Sequence, residues 1–542
     1  MQTEHSIRRP VAAHQALDRR KRTLALGILL ALGIAGVLAL LLVSCGGGSG
    51  APISPPVIPS VQPLQIADVQ KIVQAAVNSV NADMVVAVVD RAGFVLGVFR
   101  TQNAPAMALG NFGQMLDANN VAVALARTGA FFSNDQAPLS SRTVRFISGI
   151  HFPPGVVNQP TAALYGIENT NRGCTLVSSA PFQSQIPPSL ALGGGFGPGI
   201  LTGKADAMDS NPLAVNPGGV PIFYQNVVVG GVGVVTSSGD VNVAEYAAFA
   251  GSTTPRTGPS DSFGPTPASP GAVSIGGVTL PFVTQTSLPT NVSAGPIAGA
   301  GSYLVAPTNS AGQPLEGDLI PPAAGPLGGL SATDVQTILD NAEATADQTR
   351  AAIRLPIGAR ARMVVAVADL DGTLIGLRRM QDSTVFSIDV AASKARNMVY
   401  FNSSARAATD LNQVPMGTAV TNRTISFGAQ PLFPPGIDGS IAGPFFNIYL
   451  QDLANPCTQG MQAGPPNVNK SGIVFFPGSA GLYRNGTLVG GLGVSGDGVE
   501  QDDYVTSGGT KGFEAPANIR ADQISISGVR LPYFKFPRNP TD

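Results

Sequence analysis

The sequence predicts an α+β fold, written twice along one chain. Six sequence blocks recur in the same order. Each copy alternates helices with antiparallel hairpins and shows no strand–helix–strand repeat, which argues for an antiparallel sheet covered by helices. Gly 65 and Pro 45 in 542 residues, without a G-X-Y period, call for long irregular loops between these elements rather than a collagen-like chain.

The repeat is explicit. Met84-Val-Val-Ala-Val-Val-Asp90 returns as Met363-Val-Val-Ala-Val-Ala-Asp369, and Gly93, Gly97 and Arg100 return as Gly372, Gly376 and Arg379. Upstream, Asp68-Val69-Gln70 matches Asp334-Val335-Gln336. Downstream, Arg142-Thr143 and Phe152-Pro-Pro-Gly155 match Arg423-Thr424 and Phe433-Pro-Pro-Gly436. Val229-Gly-Gly-Val-Gly-Val234 matches Val489-Gly-Gly-Leu-Gly-Val494, and Ile275–Pro281 matches Ile526–Pro532.

A helix opens each copy, Ala67–Val80 and Ser331–Thr349, with apolar residues three to four apart. Asp68 and Asp334 fall in its first turn, where a carboxylate favours the helix dipole. A hairpin follows, turning at Arg91-Ala92-Gly93 or Leu370-Asp371-Gly372. Next come a second helix, Val121–Phe132 or Ile388–Phe401, a Pro/Gly-rich stretch, and a second hairpin, Ile222–Val234 or Leu482–Val494. A further helix is expected over Gln501–Ser507. The resulting division is 1–44 signal or membrane segment, 45–63 tether, 64–284 first domain, 285–328 linker and 329–542 second domain.

Charge excludes one class of partner. Residues 1–44 hold six basic and two acidic groups. The remainder therefore has 32 − 6 = 26 basic and 33 − 2 = 31 acidic groups, a net of −5. A weakly acidic body without a basic stripe has no counterion-release drive toward nucleic acid.

At the N-terminus Arg19-Arg20-Lys21-Arg22 precedes the uncharged run Leu24–Ser44, a pattern that keeps the basic end cytoplasmic while the apolar run enters the bilayer. Leu42-Val43-Ser44-Cys45 then resembles the bacterial lipoprotein signal, which implies lipidation at Cys45. The run is also long enough to stay as an uncleaved helix. Either way the body is expected outside the cytoplasm of a bacterium, membrane-anchored, in the periplasm, at the outer membrane or at the cell surface. Gly46–Pro63 serves as a tether.

In copy two, Val364–Asp369 with Gly372, Ser387-Ile-Asp-Val-Ala-Ala-Ser-Lys-Ala-Arg396, and Leu482–Gly486, Gly490–Gly496 and Gln501-Asp502 form a pattern that resembles the GlcG/HbpS-like family of haem-degrading domains. It implies two profilin-like domains, oligomerisation into a homo-oligomer, and small-ligand binding with haem as one guest. Copy one departs from the pattern, with Leu125 in place of Lys394 and Asn120 in place of Asp389, and is expected to be the degenerate partner.

Candidate ligand-binding residues are Arg379, Asp389, Lys394, Arg396, Arg423, Gly491, Ser495 and Asp502. Asp389, Lys394 and Arg396 lie on one predicted helix, read either as a carboxylate clamp with Arg396 or Arg423 as the fork or as a solvated face with helix ion pairs. The glycines around Gly491 either present N–H groups to an anion or let a helix approach a strand. Asp497, Glu500, Asp502 and Asp503 do not follow calcium-loop spacing and read as a helix start. His151 is the one histidine outside the N-terminal segment and the candidate haem ligand. Cys174 and Cys457 occupy equivalent positions and either form a disulfide across a pseudo-twofold or remain thiols. No resident metal is expected.

These readings favour a membrane-anchored, extracytoplasmic binding or sensing protein for a small ligand, haem among the candidates. An enzyme acting on a small organic acid or tetrapyrrole through Lys394, Asp389 and Arg379, and a structural surface component, are the alternatives.

Overall fold

In the computed structural model the described residues are 61–542, apart from 175, 177–196, 259, 265–271, 297–300, 405 and 461–468. Cys45, the apolar run and all but the end of the tether lie outside them. Among the described residues no helix is long and apolar enough to cross a membrane.

Copy one runs α1 (Ile66–Ser79), β1 (Met84–Asp90), β2 (Val95–Arg100), α2 (Ala118–Phe132), α3 (Ser141–Phe146), β3 (Gly219–Tyr224), β4 (Val227–Thr236) and α4 (Val241–Ser252). Two strands follow between the copies, β5 (Ser302–Val305) and β6 (Gly317–Ile320). Copy two repeats the order as α5 (Ala332–Ala346), β7 (Met363–Ala368), β8 (Leu374–Arg379), α6 (Ser387–Phe401), α7 (Asn422–Gly428), α8 (Phe446–Ala454), β9 (Ser479–Arg484), β10 (Thr487–Gly496) and α9 (Val499–Gly509).

The two antiparallel sheets have matching orders, β5-β2-β1-β4-β3 and β6-β8-β7-β10-β9. The fold class is therefore α+β, as expected, with helices on both faces of each sheet. The segment 285–328, read as a linker, does more than connect. Its short strands β5 and β6 pair with β2 and β8 and cover the backbone of those edges. Their brevity and Gly/Pro surroundings hid them in the sequence.

Strand periodicity divides the core. Met84, Val86 and Val88 of β1 pack with α1 and α4, while Val85, Ala87 and Val89 point to the α2 side. In copy two Met363, Val365 and Val367 join α5 and α9, and Val364 and Ala366 join α6. The α2 and α6 sides of the two copies belong to one continuous cluster, with Phe132 stacked on Phe386 at 4.1 Å between ring centroids. Both helices are consequently buried almost all round, as a helix held between layers must be. In α6 the single residue that is not buried is Asp389; in α2 they are Asn119 and Asn120.

Two repeated blocks acquire a purpose. Ser140 with Thr143, and Thr421 with Thr424, form capping boxes that satisfy the first N–H groups of α3 and α7. The Thr143 hydroxyl donates to the Pro281 carbonyl at 2.6 Å and the Thr424 hydroxyl to that of Pro532 at 2.7 Å, so each copy's last block clamps its short helix. Glycines set the layer spacing. A Cβ on Gly231 or Gly233 would stand 2.1 or 2.0 Å from the Ala126 or Ala122 carbonyl oxygen of α2, and one on Gly491 or Gly493 would stand 2.2 or 2.1 Å from those of Ala395 or Ala391 in α6. These glycines admit a helix. Their strands are paired on both sides, so their N–H groups belong to the sheet's ladders and are not offered to an anion.

Candidate functional site

Copy two's polar residues part company once α6 is placed. Lys394 turns toward the sheet and is fully buried. Its ammonium donates to the Val494 carbonyl at 2.7 Å and to Asp502 at 3.0 Å, and lies 4.9 Å from the centroid of the Phe476 ring. Burial pulls the Lys394 ammonium down from its usual range and pushes the Asp502 carboxyl up to about 7, while the opposite charge beside each resists the shift.

Arg396 is committed to structure. Its Nε donates to the Gly372 carbonyl at 2.9 Å, and its other nitrogens donate to Ser471 and to the Leu176 carbonyl of copy one. Arg127 makes the same bond in copy one, to the Gly93 carbonyl at 2.6 Å. The arginine that survives in both copies thus ties the long helix to the first hairpin turn, and desolvation lowers it to about 10 in copy two and about 9 in copy one. Neither a ligand fork nor a solvated face describes α6, because the other copy covers it.

The remaining candidates are held separately. Arg379 donates to the Ser383 carbonyl at 2.6 Å and pairs with Glu316 beside β6. Arg423 binds Asp503, as Arg142 binds Glu245 in copy one. Ser495 and Ser387 share a hydrogen bond of 3.1 Å. Asp497, Asp502 and Asp503 each face a cation, Arg354, Lys394 and Arg423. Among the described residues no group of three His, Cys, Asp or Glu side chains is placed to hold a metal ion. The His151 Nε2 lies 2.6 Å from the Asp438 carboxylate, in a bridge between the two Phe-Pro-Pro-Gly loops.

Cys174 and Cys457 are joined as a disulfide, with Cα atoms 5.3 Å apart and 283 residues between them in sequence. Of the two alternatives, the disulfide is the one realised. Next to this link lies a small cleft of about 10 Å³. Copy one supplies Asn169, Asn171, Arg172 and Cys174 to its wall; copy two supplies Asp389, Ser393 and Ser471. Asn171 donates its amide to Asp389, and desolvation raises that carboxyl to about 7. Asn169 donates to Asp452 at 3.0 Å, and burial raises this carboxyl also to about 7. The Ser393 hydroxyl bonds Ser471 at 3.0 Å. Of the candidate residues, only Asp389 and Cys174 line the cleft. Asn169, Asn171 and Arg172 have no motif of their own; their signal was their nearness to Cys174.

The model of the family described as "Haem degrading protein HbpS-like" matches residues 330–511. Residues 330–511, most of copy two, are therefore similar to an HbpS-like domain. No protein of curated function matches the chain. Two solved structures share its likeness. One is a PduOC–haem complex, 24% identical, covering 34% of this chain and 96% of its own with a TM-score of 0.22. The other is the Klebsiella pneumoniae protein ORFY, with the family model DUF336, 20% identical, covering 34% and 90% with a TM-score of 0.22.

The HbpS-like description names haem, and haem sets requirements on the cleft. An axial bond takes His, Met, Tyr or a Cys thiolate. Among the described residues no His, Met or Tyr lines this cleft, and Cys174 is in a disulfide. At about 10 Å³ it is also far smaller than the sites of about 300–1,000 Å³ that hold drug-sized ligands. The cleft does not fit an axially ligated haem.

Proposed function

We propose that the protein is an extracytoplasmic, membrane-anchored small-ligand-binding protein in which the HbpS-like copy two carries the site and copy one closes it. The observation that carries this reading is the position of Asp389. It is the one residue of α6 that is only half-buried, and it lines a polar cleft between the copies. The N-terminal segment supports the location, through Cys45 as a lipid anchor or through the apolar run itself. An enzyme using Lys394, Asp389 and Arg379 together is less well supported, since each of the three has its own partners.

Haem is the second reading, and the HbpS-like description favours it. Titration of the full chain in detergent with haem, beside His151→Ala, examines it. The geometry predicts that any saturable Soret change persists in the variant, since His151 is occupied by Asp438 and does not line the cleft. A change lost in the variant would move the haem site to the His151 loop. Binding of neither haem nor any metabolite in a thermal-shift screen would refute the ligand-binding function.

A further inference from the structure

The repeated Phe-Pro-Pro-Gly blocks do not line the cleft, and the fold gives them a surface in common. We propose that their paired turns contact the membrane, with Val156, Val157, Leu213, Ile437 and Ile441 entering the headgroup–acyl boundary of the bilayer. This rests on the membrane-anchored reading and adds to it a second contact, made by the folded body.

Both turns are built alike. Phe152 lies edge-on to Phe146, and Phe433 edge-on to the equivalent Phe427, with ring centroids 5.9 and 5.6 Å apart. The Phe152 N–H donates to the Pro160 carbonyl and the Phe433 N–H to the Ile441 carbonyl, both at 2.9 Å, so each loop is closed at its base. The residue after each motif is aliphatic and exposed, Val156 at 44% and Ile437 at 52%. Val157 is 67% exposed, Ile441 83% and Leu213 86%.

The two turns adjoin. Besides the His151–Asp438 bridge, the Asp438 N–H donates to the Asn158 side-chain oxygen at 3.0 Å. A Cβ on Gly436 would meet the Gln159 backbone at 3.4 Å, and one on Gly155 would meet Pro212, the neighbour of Leu213, at 3.5 Å. The five aliphatic side chains therefore belong to one stretch of surface drawn from both copies. Scattered exposed apolar residues are ordinary, whereas a cluster marks an interaction site.

Three observations favour lipid as the occupant over a second copy of the chain. Leu213 and Ile441 are nearly as exposed as in an extended chain, and an isologous contact through the same turns would set knobs against knobs. Residues 152–161 and 433–443 contain one charged side chain, Asp438, already paired with His151, so little charge has to leave water. They contain no Lys or Arg, so neutral lipid is sufficient. The uncharged run Leu24–Ser44 is joined to the body by Gly46–Pro63, 63 − 45 = 18 residues. Even fully extended these reach only about 60 Å, which keeps the body close to the bilayer. Interfacial binding then grows with the apolar area that enters the headgroup boundary.

The chain has no tryptophan, so a single introduced one reports on its own surroundings. The test uses the full chain reconstituted into phosphatidylcholine vesicles, with plain or brominated acyl chains. It carries Val157→Trp, Ile441→Trp or, as a comparably exposed control outside the turns, Ile357→Trp. The first two should emit at shorter wavelength than the control and lose intensity in brominated lipid. Adding Val156→Asp and Leu213→Asp should weaken that quenching. Vesicle flotation separates this proposal from the anchor. A chain that floats with the vesicles while all three tryptophans behave alike overturns the surface contact and leaves the anchor standing. A chain that does not float overturns both. Short-wavelength emission that brominated lipid fails to quench would mean that the turns are covered by protein, and the lipid contact falls in favour of a second copy.

Discussion

Copy two buries an ion pair, Lys394 with Asp502, where copy one buries Leu125 and Ala244. Around this difference the copies agree closely. Arg142–Glu245 matches Arg423–Asp503, Arg127 matches Arg396, and the capping boxes match. One scaffold therefore accepts either a paired charge or an apolar pair at the same place between helix and sheet. The fold does not need the charges, since a well-packed apolar pair of similar volume serves as well as a buried ion pair. What the fold cannot accept is half of the pair.

The largest expected effect follows from that. Lys394→Ala should cost about 3–5 kcal/mol in urea unfolding, by leaving Asp502 buried without its cation. Lys394→Leu with Asp502→Ala, which writes copy one's residues into copy two, should recover most of the loss. A double variant as unstable as the single one would show that the copies are not interchangeable here.

The disulfide comes next. Cys174→Ser with Cys457→Ser should destabilise the chain by about 2–4 kcal/mol, and a reducing agent should do the same to the wild type. An unchanged urea midpoint would mean that the buried contact of α2 with α6 already holds the copies together.

Gly231→Ala and Gly491→Ala sharpen the likeness between copies. Each added Cβ meets a helix carbonyl at nearly the same distance, so each should cost about 1–3 kcal/mol by overpacking. A large cost in one copy and none in the other would mean that one long helix can shift away from its sheet.

The last comparison concerns Asp389, where copy one has Asn120. The folded carboxyl titrates near 7 and the unfolded one near 3.8, so the folded state holds the proton more firmly. Asp389 should therefore withdraw stability as pH rises from about 4 to about 7, and none further above that. Asp389→Asn removes this slope. Relative to wild type, the variant should gain a few degrees in Tm at pH 8 over its difference at pH 4. A difference independent of pH would place the Asp389 carboxyl in water.

Much of the fold is legible in the sequence. Met84–Asp90 and Met363–Asp369 announce their strands by repetition, and Ser140/Thr143 and Thr421/Thr424 announce helix starts by their capping pattern. The short strands β5 and β6 are not legible, because four residues amid glycine and proline carry too little pattern. The site is legible only in part. Asp389, Lys394 and Arg396 share a helix in sequence, but a helix buried on every side sends neighbouring residues to different partners. Asn169 and Arg172 reach the cleft through a link spanning 283 residues, and no local pattern reports such a distance.

The central claim is that copy two's half-buried Asp389 carboxyl and copy one's covering loop form one ligand site. A thermal-shift screen of small metabolites on the full chain, beside a variant carrying Asp389→Ala and Asn171→Ala, tests it most directly. The account predicts that at least one metabolite raises the wild-type Tm and that the variant loses this response while still melting cooperatively. A response of equal size in the variant, or none in the wild type, would contradict it.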